Sequence, residues 1–202
     1  ALTGSIVLPG IYADLVAEDN PVGRWRLNEP AGGSNTAVNT GSAGIGADGV
    51  YFGGATLGAA AIVPNVPGVA SSFDGSNDRV EIADNAEITS AGPYNRRTVE
   101  LWFNAGDVTA RRMIFDEGTS QRGLNIYLLN GQLYAGAYNT TGDGALTPWG
   151  PIHFKTPVVA NRTYHVAVTL DATTQTLTAY LDGVAFGQST QAGPLYSHLT
   201  GI

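Results

Sequence analysis

Hydrophobic and polar residues alternate with a period of two along several stretches of the chain, most clearly over 162–187. There Tyr164, Val166, Val168 and Leu170 fall on one side of an extended backbone, and His165, Ala167 and Thr169 on the other, the signature of a half-buried strand. A four-residue loop at 171–174 predicts Val168 opposite Leu177, Val166 opposite Ala179 and Tyr164 opposite Leu181. A slip of one residue would turn threonines into the apolar face. Asp182-Gly183 then reads as a two-residue turn, after which Val184 and Phe186 return on the apolar side. A second hairpin, over 124–139, is centred on Asn130-Gly131, the commonest type I′ pair. It sets Leu129 against Gln132, Leu128 against Leu133, Tyr127 against Tyr134, Ile126 against Ala135 and Asn125 against Gly136. Leu124, Ile126, Leu128, Leu133, Ala135 and Ala137 then form an apolar face, while Asn125, Tyr127, Gln132, Tyr134 and Tyr138 form a polar, aromatic one.

The rest of the chain predicts shorter elements. Spacing of Ile11, Leu15 and Val16 ahead of Pro21 gives a two-turn helix over 11–19. An early strand covers 22–29 with Trp25 in the core, and brief strands at 50–52 and 61–63 interrupt a Gly-, Ala-, Ser- and Asn-rich loop over 32–67. Residues 69–82 read as a strand, a polar turn at Asp74 to Asp78, and a strand with Val80 and Ile82 inward. Over 98–105, Val99, Leu101 and Phe103 oppose Thr98, Glu100, Trp102 and Asn104, and 113–115 is a further strand. Residues 140–161, with Trp149 near their middle, read as a long connection, and 198–202 as the start of a strand.

Composition narrows the class. A chain of 202 residues with 43% hydrophobic, 13% charged and 27 glycines is sized and composed for one all-β domain. A net charge of −7 argues against nucleic acid as a partner, because phosphate binding needs clustered Lys and Arg and the chain has ten in all. The pairs Arg96-Arg97 and Arg111-Arg112 are too small to change that. The absence of cysteine excludes disulfides and thiolate chemistry and leaves the compartment open. No apolar run approaches the eighteen residues of a membrane span and there is no leader, so the chain reads as a mature module or a piece of a longer protein. Asn139-Thr-Thr141 and Asn161-Arg-Thr163 would accept glycans only in a eukaryotic secreted setting.

Five stretches in order then resemble the laminin-G-like, concanavalin-A-like jelly-roll family: Trp25-Arg-Leu-Asn-Glu-Pro-Ala-Gly32, Phe73-Asp-Gly-Ser-Asn-Asp-Arg-Val80, Thr98-Val-Glu-Leu-Trp102, 123–134 around the Asn-Gly turn, and 165–183. The resemblance implies a two-sheet antiparallel jelly-roll sandwich over 12–202, with 1–11 a linker or a preceding strand. It implies carbohydrate or protein binding by a module of an enzyme, adhesin or phage tail protein, at a cell surface, on a virion or outside the cell. Members of the family continue into a last strand bearing an acidic pair, and this sequence stops at Ile202 before it.

The resemblance assigns no site, so candidates rest on residue chemistry. Neither Glu100, flanked on its face by Thr98 and Trp102, nor Glu81, flanked by Arg79 and Ala83, has the second carboxylate of a retaining glycosidase. A non-catalytic module is the expectation. Asp74, Asn77 and Asp78 gather oxygen ligands suited to calcium in one turn, and an ion-free Asx turn is the other reading. For a glycan, Tyr127, Tyr134 and Tyr138 offer ring faces, with Asn125, Gln132 and Glu100 to hold hydroxyls. His165 opposite Tyr180 extends that set on the other hairpin, and Trp149 is the fallback in the long connection. Tyrosines that merely cover a sheet are the competing reading. Glycan binding and contact with neighbouring protein domains both remain open.

Overall fold

The computed structural model describes residues 11–63, 65–142, 147–199 and 201–202; the segment 1–10, expected to be a linker or preceding strand, lies outside them. The chain divides into two compact units, Ala1–Ala83 and Asp84–Ile202. In the first, helix α1 (Ile11–Glu18) forms where the spacing predicts it, followed by β1 (Thr36–Ala37), β2 (Gly49–Phe52), β3 (Thr56–Ala60), β4 (Val69–Ser72) and β5 (Arg79–Ile82). One sheet runs β1-β2-β5 and a second pairs β3 with β4, so the strands either side of the Asp74 to Asp78 turn belong to different sheets and make no hairpin. Residues 61–63 are not a strand, the nearby extended piece being β3. Nor is 22–29: Leu27 takes φ 49 and Trp25 makes only an isolated bridge to Asn39. The Trp25 ring is half-buried. It lies over Gly23, where a Cβ would come within 2.2 Å of the ring, and its indole N–H donates to the Ala47 carbonyl at 2.7 Å.

The second unit holds β6 (Arg96–Asn104), β7 (Arg112–Gly118), β8 (Arg122–Leu129), β9 (Gln132–Asn139), β10 (Trp149–Pro157), β11 (Thr163–Asp171), β12 (Thr176–Leu181) and β13 (Val184–Ser189). They form two antiparallel sheets, β10-β9-β8-β7 and β13-β12-β11-β6. Leu124, Ile126, Leu128, Leu133, Ala135 and Ala137 of one sheet share a core with Tyr164, Val166, Val168, Leu170, Leu177 and Ala179 of the other. Burying each large side chain of this kind is worth roughly 1.5–3 kcal/mol, so the alternation decides which face of every strand turns inward. The result is the all-β sandwich that the pattern predicts.

Register tests the prediction more finely. The β8–β9 hairpin pairs as predicted throughout, from Leu129↔Gln132 to Asn125↔Gly136, with Asn130 and Gly131 at φ 53 and 72. Between β11 and β12 the pairs are Val168↔Ala179 and Val166↔Leu181, two residues from the predicted register. Asp171 stays in the strand opposite Thr176 while its carboxylate accepts the Thr173 amide at 2.8 Å, and the loop becomes 172–175 with Gln175 at φ 57. A shift of two keeps every side chain on its face, so alternation alone does not distinguish the two registers.

The Asp182-Gly183 turn is of the predicted kind, with φ 50 and 79, and Phe186 reaches the core at a bulge opposite Ala179 and Tyr180. Val184, expected to return inward, is 71% exposed at the start of the edge strand β13. The connection expected over 140–161 contains β10. This strand carries Pro151 and Pro157 at the sheet's edge, where a missing N–H breaks no ladder. Among the described residues of 198–202 there is no strand.

Candidate functional site

The outer face of the β10-β9-β8-β7 sheet is laid out in rows by its register. One cross-strand row runs Lys155, Tyr134, Tyr127, Met113, and the next runs His153, Gly136, Asn125, Asp116. Beyond it Tyr138 pairs with Gly123. The middle row is low because Gly136 has no side chain, and none would fit: a Cβ there would lie 2.2 Å from the Ile152 carbonyl and 2.5 Å from the His153 ring. A groove of about 320 Å³ results, lined by Asn125, Tyr127, Tyr138, His153, Pro151 and Arg111 among others.

The predicted tyrosines do share this face, but their rings are not spread across it. Tyr127 and Tyr134 stack on each other, centroids 4.8 Å apart and planes within 1°, and the Arg111 guanidinium lies over the Tyr127 ring at 5.1 Å. Two partners on one ring take opposite faces, so Tyr127 has none left for a sugar. What these residues offer the groove is a wall of ring edges and one arginine. Tyr138 forms the opposite side, 6.2 Å from His153.

Polar groups inside the groove are held in a defined order. The Tyr138 hydroxyl donates to the Thr119 carbonyl at 2.8 Å. Asn125 is 9% exposed, and its Oδ1 is buried without a partner among the described residues. Burial pushes the Tyr138 phenol up, as does the charge of Asp116. Burial also raises the Asp116 carboxyl, against the pull of Arg111, and lowers the His153 imidazole.

The other predicted residues lie elsewhere. Gln132 turns its amide to the Gly131 carbonyl at 3.2 Å, beyond the tyrosine pair. Trp149 is buried in the core at 9% exposure, its indole N–H held by the Pro194 carbonyl at 2.8 Å, and gives no free ring face to a ligand. Glu100, His165 and Tyr180 belong to the other sheet, whose outer face points the opposite way across the shared core. His165 is not opposite Tyr180, which pairs with Ala167. It pairs with Trp102, rings 4.9 Å apart, and its Nε2 is 3.5 Å from Glu100, whose carboxyl it holds below the ordinary range. At the Asp74 to Asp78 turn, the Asp78 carboxylate accepts the Asp74 amide at 2.8 Å and the Asp74 carboxylate accepts the Ser76 amide at 2.7 Å. The described residues contain no group of three His, Cys, Asp or Glu arranged for a metal ion. These two hydrogen bonds are those of an Asx turn. Asn139, a glycan-acceptor motif by sequence, is fully buried between Pro194 and Tyr196.

Sequence reasoning missed Arg111, Asp116, Pro151 and His153. For His153 a signal existed: Ile152 and Phe154 alternate with His153 and Lys155, which marks a strand with the histidine outward.

The family model described as the concanavalin A-like lectin/glucanases superfamily matches residues 74–201. Among solved structures, the chain is similar to a botulinum neurotoxin type C structure that describes interaction with two ganglioside molecules, at 16% identity and a TM-score of 0.57, covering 93% of this chain and 42% of that one. It is also similar to the binding domain of botulinum neurotoxin DC in complex with rat synaptotagmin II, at 12% identity and a TM-score of 0.57, covering 91% and 45%. This chain thus spans less than half of either structure, and at these identities the likeness is one of fold. No curated protein matches the chain.

Proposed function

The chain belongs to the concanavalin A-like lectin/glucanase superfamily, and from that premise we propose that it is a non-catalytic carbohydrate-binding module of a larger extracellular or surface protein. Its ligand lies in the groove of the β10-β9-β8-β7 sheet. The observation that carries this reading is the groove of about 320 Å³ over the Gly136 row, with Tyr138 and His153 on one side, Tyr127 and Arg111 on the other and Asn125 among its lining. Aromatic surface beside polar side chains is what a sugar's apolar face and hydroxyls require. Among the described residues Asp116 is the one carboxylate in that row, because Glu117 points the other way into the core, so the row holds no second carboxylate of the kind that glycoside hydrolysis needs.

Binding without turnover is the expected outcome on a glycan array followed by product analysis of any bound sugar. Tyr138→Ala should weaken that binding by about tenfold, the effect of removing one central aromatic. Array binding that survives Tyr138→Ala unchanged, or shortening of the glycan, would overturn the reading. A protein-binding module is the second reading, favoured by the exposed edge strand β13 with Val184 at its start. An empty array together with a protein partner lost on Val184→Lys would favour it.

A further inference from the structure

Charge on the tyrosine-bearing face narrows the ligand class. Among the Lys and Arg of the second unit, Arg96, Arg97, Arg112 and Arg162 pair with Asp171, Glu117, Asp107 and Asp182, and Arg122 donates to the Ser197 carbonyl. Arg111 and Lys155 complete the set; both are exposed, and neither has an ion-pair partner among the described residues. Both also stand on the outer face of the β10-β9-β8-β7 sheet. Phe154 of β10 packs on the core, which turns Lys155 outward beside Tyr134, and Arg111 covers the face of Tyr127 that Tyr134 leaves open. The row reads cation, ring, ring, cation. With the rings 4.8 Å apart and Arg111 a further 5.1 Å along, the two charges stand about 15 Å apart, three strand spacings.

This row is one long wall of the groove. The floor beside it, from His153 through Gly136 and Asn125 to Asp116, runs parallel to it from one edge strand of the sheet to the other. A chain of linked sugars laid along that floor crosses the strands and advances by roughly one strand spacing per unit. Neutral hydroxyls gain little from the two flanking cations, whereas a carboxylate or sulfate near each end of the bound segment meets a charged donor. Arg111 is held ready for that contact, because stacking on Tyr127 fixes the guanidinium plane and leaves its N–H edge free. Asp116 is the one carboxylate in these rows among the described residues, and it opposes an anion at the Arg111 end. Building on the glycan-binding reading above, we infer that the groove takes an internal segment of a linear acidic polysaccharide, with one anionic group on Lys155 and another on Arg111.

The test is affinity electrophoresis of the 202-residue chain through gels holding matched polymers: carboxymethyl-, sulfated and hydroxyethylcellulose on one backbone, and polygalacturonate and its methyl ester on another. At low salt a charged polymer should bind about tenfold more tightly than the neutral form of its own backbone. Retention by the carboxylated forms or by the sulfated one identifies which anion supplies the contact. The gain should fade between about 0.02 M and about 0.5 M salt as the charges are screened. Lys155→Gln and Arg111→Gln, both at exposed positions where folding is not at risk, should each cost about threefold with the charged polymer and nothing with the neutral one, and Asp116→Asn should tighten the charged form. Arg96→Gln removes the same charge from the other sheet and should leave retention unchanged. Equal retention of charged and neutral forms, or an equal loss in Arg96→Gln, overturns the acidic-ligand inference. Binding on a glycan array confined to uncharged sugars overturns it as well while leaving the glycan-binding reading standing. Silence across the array and all the polymers overturns both.

Discussion

Arg97 and Glu117 join the two sheets of the sandwich through an ion pair in its interior. Arg97 Nη2 donates to Glu117 Oε2, the Glu117 side chain is fully buried and that of Arg97 is 13% exposed. The other carboxylate oxygen, Oε1, is buried without a partner. Burial raises the Glu117 carboxyl and Arg97 opposes the rise, so the charge on Glu117 is kept by one guanidinium. Coulomb attraction in such a place about offsets the desolvation of the two ions, whereas removing one partner strands the other. Arg97→Met should therefore lower stability by about 3 kcal/mol or more, read from urea midpoints. Combining it with Glu117→Leu should recover most of that loss. If the double variant is no more stable than Arg97→Met alone, the loss comes from packing around Arg97 and the charge argument fails. Half of this pair is visible in the sequence. Arg97 shares its side of the strand with Val99, Leu101 and Phe103, which places an arginine inward among apolar residues. Glu117 is not visible, because the apolar run that marks its strand ends at Phe115.

Elements are readable where two independent signals agree. At Asn130-Gly131 the alternation and a turn requiring positive φ at both positions pin one register, and the tyrosine face follows from it. At 171–176 only the alternation operates, and it repeats every two residues, so the loop placement comes instead from the Asp171 carboxylate capping its own turn. Edge strands are the hardest to see. Strand β10 carries two prolines that a central strand excludes, and with it went His153 and the floor of the groove. Two glycines show what such elements tolerate. Gly131 needs its φ of 72 but has open space where an added methyl would point, whereas a Cβ on Gly187 of β13 would meet the Phe154 ring of β10 at 2.1 Å. Gly131→Ala should thus cost about 1 kcal/mol of backbone strain and no more. Gly187→Ala, which forces Phe154 and the sheet edges apart, should cost more, roughly 1–3 kcal/mol as an overpacked core does. Thermal melts of the two variants check the order, and a reversed order would mean that the contact between β10 and β13 yields freely.

At the scale of the whole molecule, net charge and buried titratable groups make stability depend on pH, and His198 gives that dependence a separable part. His198 is 5% exposed and neither ring nitrogen has a partner among the described residues. Burial holds the imidazole below its ordinary value of 6.5, with Arg97 and Arg122 adding to the effect and Asp84 opposing it. The folded chain therefore binds this proton less readily than the unfolded chain does. The contribution of His198 to stability is complete above pH 6.5 and is lost as pH falls through 6.5 toward the folded value. Glu117 and Asp116 act the other way, since their raised carboxyls take up protons in the folded state first, and stability gains from them as pH falls. The total curve mixes these opposing slopes with the relief of a net charge of −7. Comparing the wild type with His198→Gln removes the shared parts. Denaturant midpoints at about pH 7.5 and about pH 5 should show the wild type losing more stability on acidification than the variant. The difference between the two proteins should shift steadily across the interval below 6.5, whatever packing cost the glutamine carries at neutral pH. A difference that stays constant with pH would mean that His198 takes its proton as easily in the folded chain as in the unfolded one, and that the two unpartnered nitrogens are open to water.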